Sequence, residues 1–102
     1  MNEEDAKREI AKRIKAGSFN FKERGNDVDI IFFERINILN LDSIDKSNLE
    51  YQFFGEAKVR IADENTDGGA YLSPSRNIIK GTVKICDNIN IEISNPIIIE
   101  NL

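Results

Sequence analysis

The chain contains no histidine and only one cysteine, and these shortages exclude several kinds of functional site. Without histidine, the usual general base, the usual zinc ligand and the middle member of a hydrolase triad are all missing. The chain also lacks a glycine-rich phosphate loop and a dinucleotide-binding fingerprint. We therefore expect a protein that is not an enzyme, with no catalytic residues, no bound metal ion and no cofactor.

The one cysteine, Cys86, has no second cysteine in the chain with which to form a disulfide. It lies in a run of alternating apolar residues, so we expect it to pack in the core as a free thiol in a reducing compartment. No apolar stretch approaches the roughly 20 residues that span a bilayer, and the N-terminus lacks the layout of a signal peptide. These features predict a cytoplasmic protein without a membrane partner.

Positive charge is also scarce, since 14 Lys and Arg residues oppose 18 Asp and Glu residues and give a net charge of −4. No aromatic side chains are interleaved with basic ones, so the sequence does not predict nucleic-acid binding. The acidic residues concentrate between Gly25 and Ala57, where only Arg35 and Lys46 oppose them. The acidic residues of this segment are Asp27, Asp29, Glu34, Asp42, Asp45, Glu50 and Glu56.

What the chain does contain is a regular alternation of side chains from Tyr51 to Ile61, with small or apolar residues at the odd positions and mostly polar ones at the even positions. Alternation with a period of two is typical of a β-strand that buries one face. Similar alternation returns over residues 79–85 and 89–93. A length of 102 residues fits one domain, and we place the β region at about residues 19–100.

The first residues of the chain predict a helix over about residues 3–16. Asn2 is a favourable N-cap, acidic residues fill the first turn, and Gly17 offers a C-terminal stop. The apolar stripe of this helix is narrow, because only Ile10 and Ile14 are large. A helix of this kind covers little of a broad sheet.

The segment from Val28 to Leu41 has large apolar residues at both even and odd positions, which predicts a strand buried on both faces. The run from Ile97 to Ile99 also predicts burial on both faces. We expect Pro96 to start a final edge strand. We also expect Asp87 and Asn88 to form a tight hairpin turn. The predicted fold class is α+β, with one N-terminal helix and about six antiparallel strands in a strongly curved sheet, roll or small sandwich.

A polar segment at about residues 62–77 lacks periodic apolar positions and is longer than most connections in a compact domain. Its residues Asp63, Asn65 and Asp67 match the opening of a calcium-binding loop, but the position of the closing glutamate is occupied by Pro74, so a polar turn is the favoured interpretation. The segment also holds candidate interface residues, because exposed Tyr and Arg side chains often anchor interfaces. These candidates are Tyr71, Leu72 and Arg76.

The sequence therefore predicts a small acidic interaction domain that acts by occlusion, as an inhibitor, a toxin-neutralising protein or an anti-defence protein. Its partner would carry a basic surface, because an acidic segment speeds encounter with such a surface. The alternative is a homodimeric small-ligand-binding or accessory subunit, with a pocket or a twofold interface on the second sheet face. The residues predicted to contact a partner are Asp27, Asp29, Glu34, Asp42, Asp45, Tyr71, Leu72 and Arg76.

Overall fold

The structure is a computed structural model that describes residues 2–61, 75–87 and 90–101, apart from the side chain of Ile31. The described residues form one helix and seven strands. These are α1 (Glu3–Ala16), β1 (Phe21–Glu23), β2 (Asn26–Val28), β3 (Ile30–Asp45), β4 (Glu50–Ile61), β5 (Ser75–Ile85), β6 (Ile91–Ile93) and β7 (Ile97–Asn101). The described part of the chain contains no helix that is long and apolar enough to cross a membrane.

Helix α1 has the bounds that the sequence predicts, and its ends show why. The side-chain oxygen of Asn2 accepts a hydrogen bond from the Asp5 amide at 2.8 Å, and the Gly17 amide donates to the Arg13 carbonyl at 2.8 Å. These contacts satisfy backbone groups that a helix terminus otherwise leaves unpaired. Ile10 and Ile14 are fully buried against the sheet.

The strands form one mixed sheet in the order β2-β1-β7-β5-β4-β3, with β6 paired to β5. The α+β class is confirmed, but the expected purely antiparallel arrangement of about six strands is wrong. Strand β7 pairs in parallel with β1 and antiparallel with β5, so it is an interior strand and not the edge strand that we expected. It follows the cis peptide bond between Asn95 and Pro96. Because one sheet contains all the described strands, the structure is not a sandwich.

Strands β2 and β3 lie at opposite ends of this sheet order, yet only Asp29 separates them along the chain. The two edges of the sheet therefore come together at Asp29, while elsewhere the sheet stays open. The result is a roll around α1, and we call the face toward the helix the inner face and the opposite one the outer face. The buried strand residues of the inner face are Phe21, Phe33, Ile38, Phe53, Ala57, Val59, Ile79, Val83, Ile91, Ile97 and Ile99.

Strand β3 explains the segment that the sequence predicted to be buried on both faces. The pairing between β3 and β4 shifts register at four places, and each interval contains one extra residue on β3. The shifts lie at Ile30/Phe32, Phe33/Arg35, Ile38/Asn40 and Ser43/Asp45. Each such bulge reverses the parity of the residues that follow. The bulges therefore direct apolar residues of both parities to the inner face. These inner residues are Ile30, Phe33, Ile36, Ile38 and Leu41.

Two further predictions concern the end of β5, namely the hairpin turn and the core position of Cys86. Strands β5 and β6 form a hairpin, as expected, but not with the tight turn of Asp87 and Asn88, because the Cys86 amide donates to the Asn90 carbonyl at 2.9 Å and three residues separate this pair. The Asn90 amide donates to the side chain of Asp87 at 2.8 Å, and Asn88 lies outside the described residues. The expected core position of Cys86 is wrong, because its side chain is exposed. Cys86 directly follows the last residue of β5, so the alternation of that strand does not extend to it.

Candidate functional site

The sequence predicted a possible partner on the second face of the sheet, which is the outer face. The structure shows this face to be rich in cross-strand ion pairs. Glu34 lies 3.6 Å from the Lys58 ammonium and 3.4 Å from the Arg60 guanidinium, measured from its carboxylate oxygens. Lys80 pairs with Glu100 at 2.7 Å. This face is therefore largely charged and solvated. Three larger apolar side chains lie half-buried among these charges: Phe54, Ile78 and Ile98.

The prediction of a partner on the second sheet face depended on there being more apolar strand residues than a narrow helix can cover on one face. The structure does not leave such an excess on the outer face. Helix α1 buries the inner face, and the bulges of β3 bring apolar residues of both parities to that same face. A depression of about 430 Å³ does lie on the outer face, lined by charged residues that include Arg35, Lys58 and Arg76. Its acidic residue, Glu56, pairs with Arg76 at 3.4 Å. The outer face thus offers charges that are already partly paired and little apolar surface.

Among the residues that the structure describes, the exposed large hydrophobic ones lie along β3 and on the turn that follows it. They are Phe32 at 45 % exposure, Leu39 at 38 %, Ile44 at 54 % and Leu49 at 41 %. The ring of Phe32 is covered in part by Arg60, whose guanidinium carbon lies 5.4 Å from the ring centre, and such cation–π contacts partly shield an exposed ring. Leu39 is the extra residue at the bulge that follows Ile38, and Ile44 is the extra residue at the bulge that follows Ser43.

Ile44 and Leu49 belong to one structure, the end of the β3–β4 hairpin, which we call the hairpin tip (residues 43–50). Asp45 organises its turn by accepting hydrogen bonds from the Ser47 amide at 2.9 Å and the Asn48 side chain at 2.6 Å. The bond from the Asn48 side chain is the main reason that the pKa of Asp45 lies below its ordinary value of 3.8. The tip therefore keeps a negative charge at Asp45 beside two exposed apolar side chains.

Leu49 at the tip has a backbone φ of 57°, in the left-handed region that branched side chains rarely adopt. Leu49 is 41 % exposed, and its carbonyl accepts a hydrogen bond from the Ile85 amide at 3.1 Å. A groove of about 340 Å³ adjoins the same end of the hairpin, between the start of α1 and the inner face. Its apolar walls are Ala6, Leu41, Tyr51 and Ile85, and its polar residues are Asn2, Glu3 and Ser43.

The predicted acidic contact residues do not come together in one patch. Asp29 is at the corner where the sheet edges meet, and Asp27 pairs with Lys22 at 3.4 Å on the neighbouring strand. Asp45 lies at the far end of β3, which has 16 residues and so spans about 50 Å at roughly 3.3 Å per residue. The longest extent of the molecule is 48 Å. The acidic segment is thus drawn out along the whole molecule, and Glu34 is engaged with its own lysine and arginine.

The predicted polar loop begins after β4, but its final residues belong to β5. Arg76 is therefore a strand residue of the outer face and not a loop residue as we expected. Tyr71 and Leu72 lie outside the described residues, as does the possible calcium loop of Asp63, Asn65 and Asp67. Among the residues that the structure describes, no group of His, Cys, Asp or Glu side chains is arranged to hold a metal ion.

Asn77 is a buried polar residue that the sequence analysis assigned to the loop. Its side-chain nitrogen donates to the Ser75 carbonyl at 3.1 Å and to the Ser75 hydroxyl at 3.0 Å. Its side-chain oxygen, Oδ1, is buried and receives no hydrogen bond from the described residues. Only the strand alternation that begins at Ile79, extended backward by two residues, could have indicated that Asn77 points to the inner face.

Comparison with known proteins gives no match of any kind for this chain. No protein-family model matches it, no curated protein matches it, and no solved structure matches it. A functional proposal therefore depends on the geometry of the described residues alone.

Proposed function

We propose that this protein is a small acidic interaction domain, without catalytic activity, that acts by occlusion through its hairpin tip. The observation that carries the proposal is the exposure of Ile44 and Leu49 within the hairpin tip that also carries the ionised Asp45. In this mode the tip inserts two apolar side chains into a partner, and the rest of the domain blocks access to the covered surface, as an inhibitor does. Apolar anchors ringed by polar groups are the usual composition of such contacts.

The charge of the tip supports a partner with a basic surface. Asp45 and Glu50 oppose Lys46 within residues 43–50, and Asp42 precedes them on β3. Opposite charges raise the rate of encounter between proteins, and salt weakens that effect. The backbone of the tip supports the proposal too, because the left-handed conformation of Leu49 costs free energy, and such strain clusters at functional sites.

The first experiment uses the whole chain as bait for partners in the native host, followed by binding measurements with the purified partner. We expect the double variant Ile44→Ser/Leu49→Asn to lose at least about tenfold in affinity, since each anchor of this kind contributes on the order of 1 kcal/mol or more. The matched control is Phe32→Ser, which removes an exposed apolar residue from the other end of β3. Equal affinity of the tip variant and the unmodified protein would contradict the proposal.

The second experiment measures the association rate of the purified pair at increasing salt concentration. We expect the rate to fall steeply with salt, and the variant Asp45→Asn to show a weaker dependence, because it removes one steering charge. An association rate that does not change with salt argues against a basic partner, whatever the affinity.

A further inference from the structure

We propose that β3 pairs antiparallel with β3 of a second copy of this chain, around a two-fold axis between Ile38 and Leu39. Among the described strands, β3 pairs with β4 alone, so the backbone groups along its other side have no partner strand there. A free edge of 16 residues is a template for strand addition. This inference concerns the middle of β3 and does not rest on the function proposed for the hairpin tip.

The bulges of β3 favour a second copy over any other strand. Three of the four extra residues, those that follow Phe33, Ile38 and Ser43, lie at intervals of five positions, and the fourth lies nearer the start of β3, between Ile30 and Phe32. A bulged edge resists pairing with a regular strand, because each bulge interrupts the ladder of hydrogen bonds. A two-fold axis between Ile38 and Leu39 sets residues 33–34 of one copy against residues 43–44 of the other. The extra residues Glu34 and Ile44 then lie in the same short interval, offset by one position, and the regular segments 35–37 and 40–42 can pair.

With the same axis, the two side chains of each regular pair point to the same face of the joined sheet. In the single chain Ile36 and Leu41 point to the inner face, because they pair with the inner residues Ala57 and Phe53 of β4. Their neighbours on each side point to the outer face. The resulting register opposes Arg35 with Asp42, Ile36 with Leu41 and Asn37 with Asn40 of the second copy.

Charge selects this register. The two-fold axis generates the Arg35–Asp42 pair twice, and within the described part of one chain neither residue has an ion-pair partner. A register shifted by one residue on each copy also preserves the faces, but it opposes Asp42 with Asn37 and loses both ion pairs. The exposed side chain of Leu39 lies at the axis and is covered there by the second copy.

The first test measures molar mass by size exclusion with light scattering across a dilution series. We expect a concentration-dependent dimer for the unmodified protein. The variant Arg35→Glu should weaken dimerisation by about tenfold or more, because it creates two like-charge pairs, and Arg35→Glu/Asp42→Lys should restore it. The control is Lys12→Glu, which reverses an exposed charge on α1 and should leave the dimer unchanged.

The second test is a disulfide that only the proposed register allows, made in the Cys86→Ser background to remove the exposed thiol. With Asn37→Cys and Asn40→Cys together, opposed residues are about 4.5–5.5 Å apart between Cα atoms and can bridge the two copies. Within one chain these positions are about 10 Å apart along the strand, too far for a disulfide. We expect covalent dimers from the double variant and none from Asn37→Cys alone.

Three results would overturn the inference. They are a monomer throughout the dilution series, a failure of the double charge reversal to restore a dimer lost on single reversal, and equal crosslinking of the single and double cysteine variants. Ile44 lies opposite Phe33 of the second copy in this register, whereas Leu49 lies beyond β3, so the single variant Leu49→Asn tests the hairpin tip separately from the dimer. Conversely, loss of partner binding with an intact dimer would support the tip proposal separately.

Discussion

The ring of Phe53 lies directly against Gly81 on the neighbouring strand. A Cβ at position 81 would be 2.8 Å from the ring carbons Cε2 and Cζ. The two residues oppose each other across β4 and β5, and Phe53 is fully buried. The ring therefore occupies the space that a side chain on β5 would need, and the glycine is required for packing.

We expect Gly81→Ala to lower the free energy of unfolding by about 1–3 kcal/mol, because a buried ring must leave its preferred rotamer to admit the methyl group. Denaturant unfolding gives the value. The same substitution in a Phe53→Leu background should cost less, since leucine is smaller than the ring. An equal cost in both backgrounds would show that the contact with Phe53 is not the cause.

Arg13 connects α1 to the far side of the roll, because its guanidinium donates to the Ile91 carbonyl at 2.7 Å. We expect Arg13→Gln to lower the free energy of unfolding by about 1–2 kcal/mol, since the carbonyl loses a charged donor. The control is Arg8→Gln, which removes an exposed ion pair with Asp5 and should cost about 0.5 kcal/mol or less. Equal losses for the two variants would contradict this role of Arg13.

Leu49 should be replaceable with a gain in stability. Asparagine tolerates the left-handed region better than leucine, so we expect Leu49→Asn to raise the free energy of unfolding by about 0.5 kcal/mol and the Tm by about 3 °C. Thermal unfolding followed by circular dichroism measures the shift. Ile44→Asn, at an exposed position without positive φ, should give no such gain. A lower Tm for Leu49→Asn would show that the leucine side chain stabilises the tip.

Stability should depend on the ionisation of Asp45. Its pKa is lowered in the folded protein, so the folded state binds fewer protons than the unfolded state near the ordinary value of 3.8. The contribution is present above that pH and is lost as the pH falls through the lower, folded value. We expect the stability difference between the unmodified protein and Asp45→Asn to shrink on acidification from about pH 6 to about pH 2. A constant difference would refute the assignment.

The sequence predicts the helix and strand β4 well because both depend on local signals. The helix has a side-chain cap at Asn2 and a stop at Gly17, and each of these acts within one turn. In β4 the alternation is uninterrupted over its whole length, so the residue pattern and the buried face agree.

Strand β3 shows why the rest is harder to predict. A bulge inserts one residue without any marker in the residue types, so an apolar pattern of mixed parity resembles a strand buried on both faces. The position of β7 is equally hidden, because nothing near Ile97 indicates that it pairs with β1, which lies far earlier in the chain. The candidate site follows the same rule: Ile44 and Leu49 look unremarkable until the hairpin brings them to one exposed end.

Strand β7 also sets the order in which this fold can be completed during synthesis on a ribosome. Among the described strands it is the sole link between β1 and β5, so the hairpin of β1 and β2 cannot join the sheet until residues 97–101 have emerged. Until then the nascent chain leaves Phe21 and the flank of β5 without their neighbour. The pairing of β1 with β7, which joins the early and late segments of the chain, is therefore the last step in forming the roll.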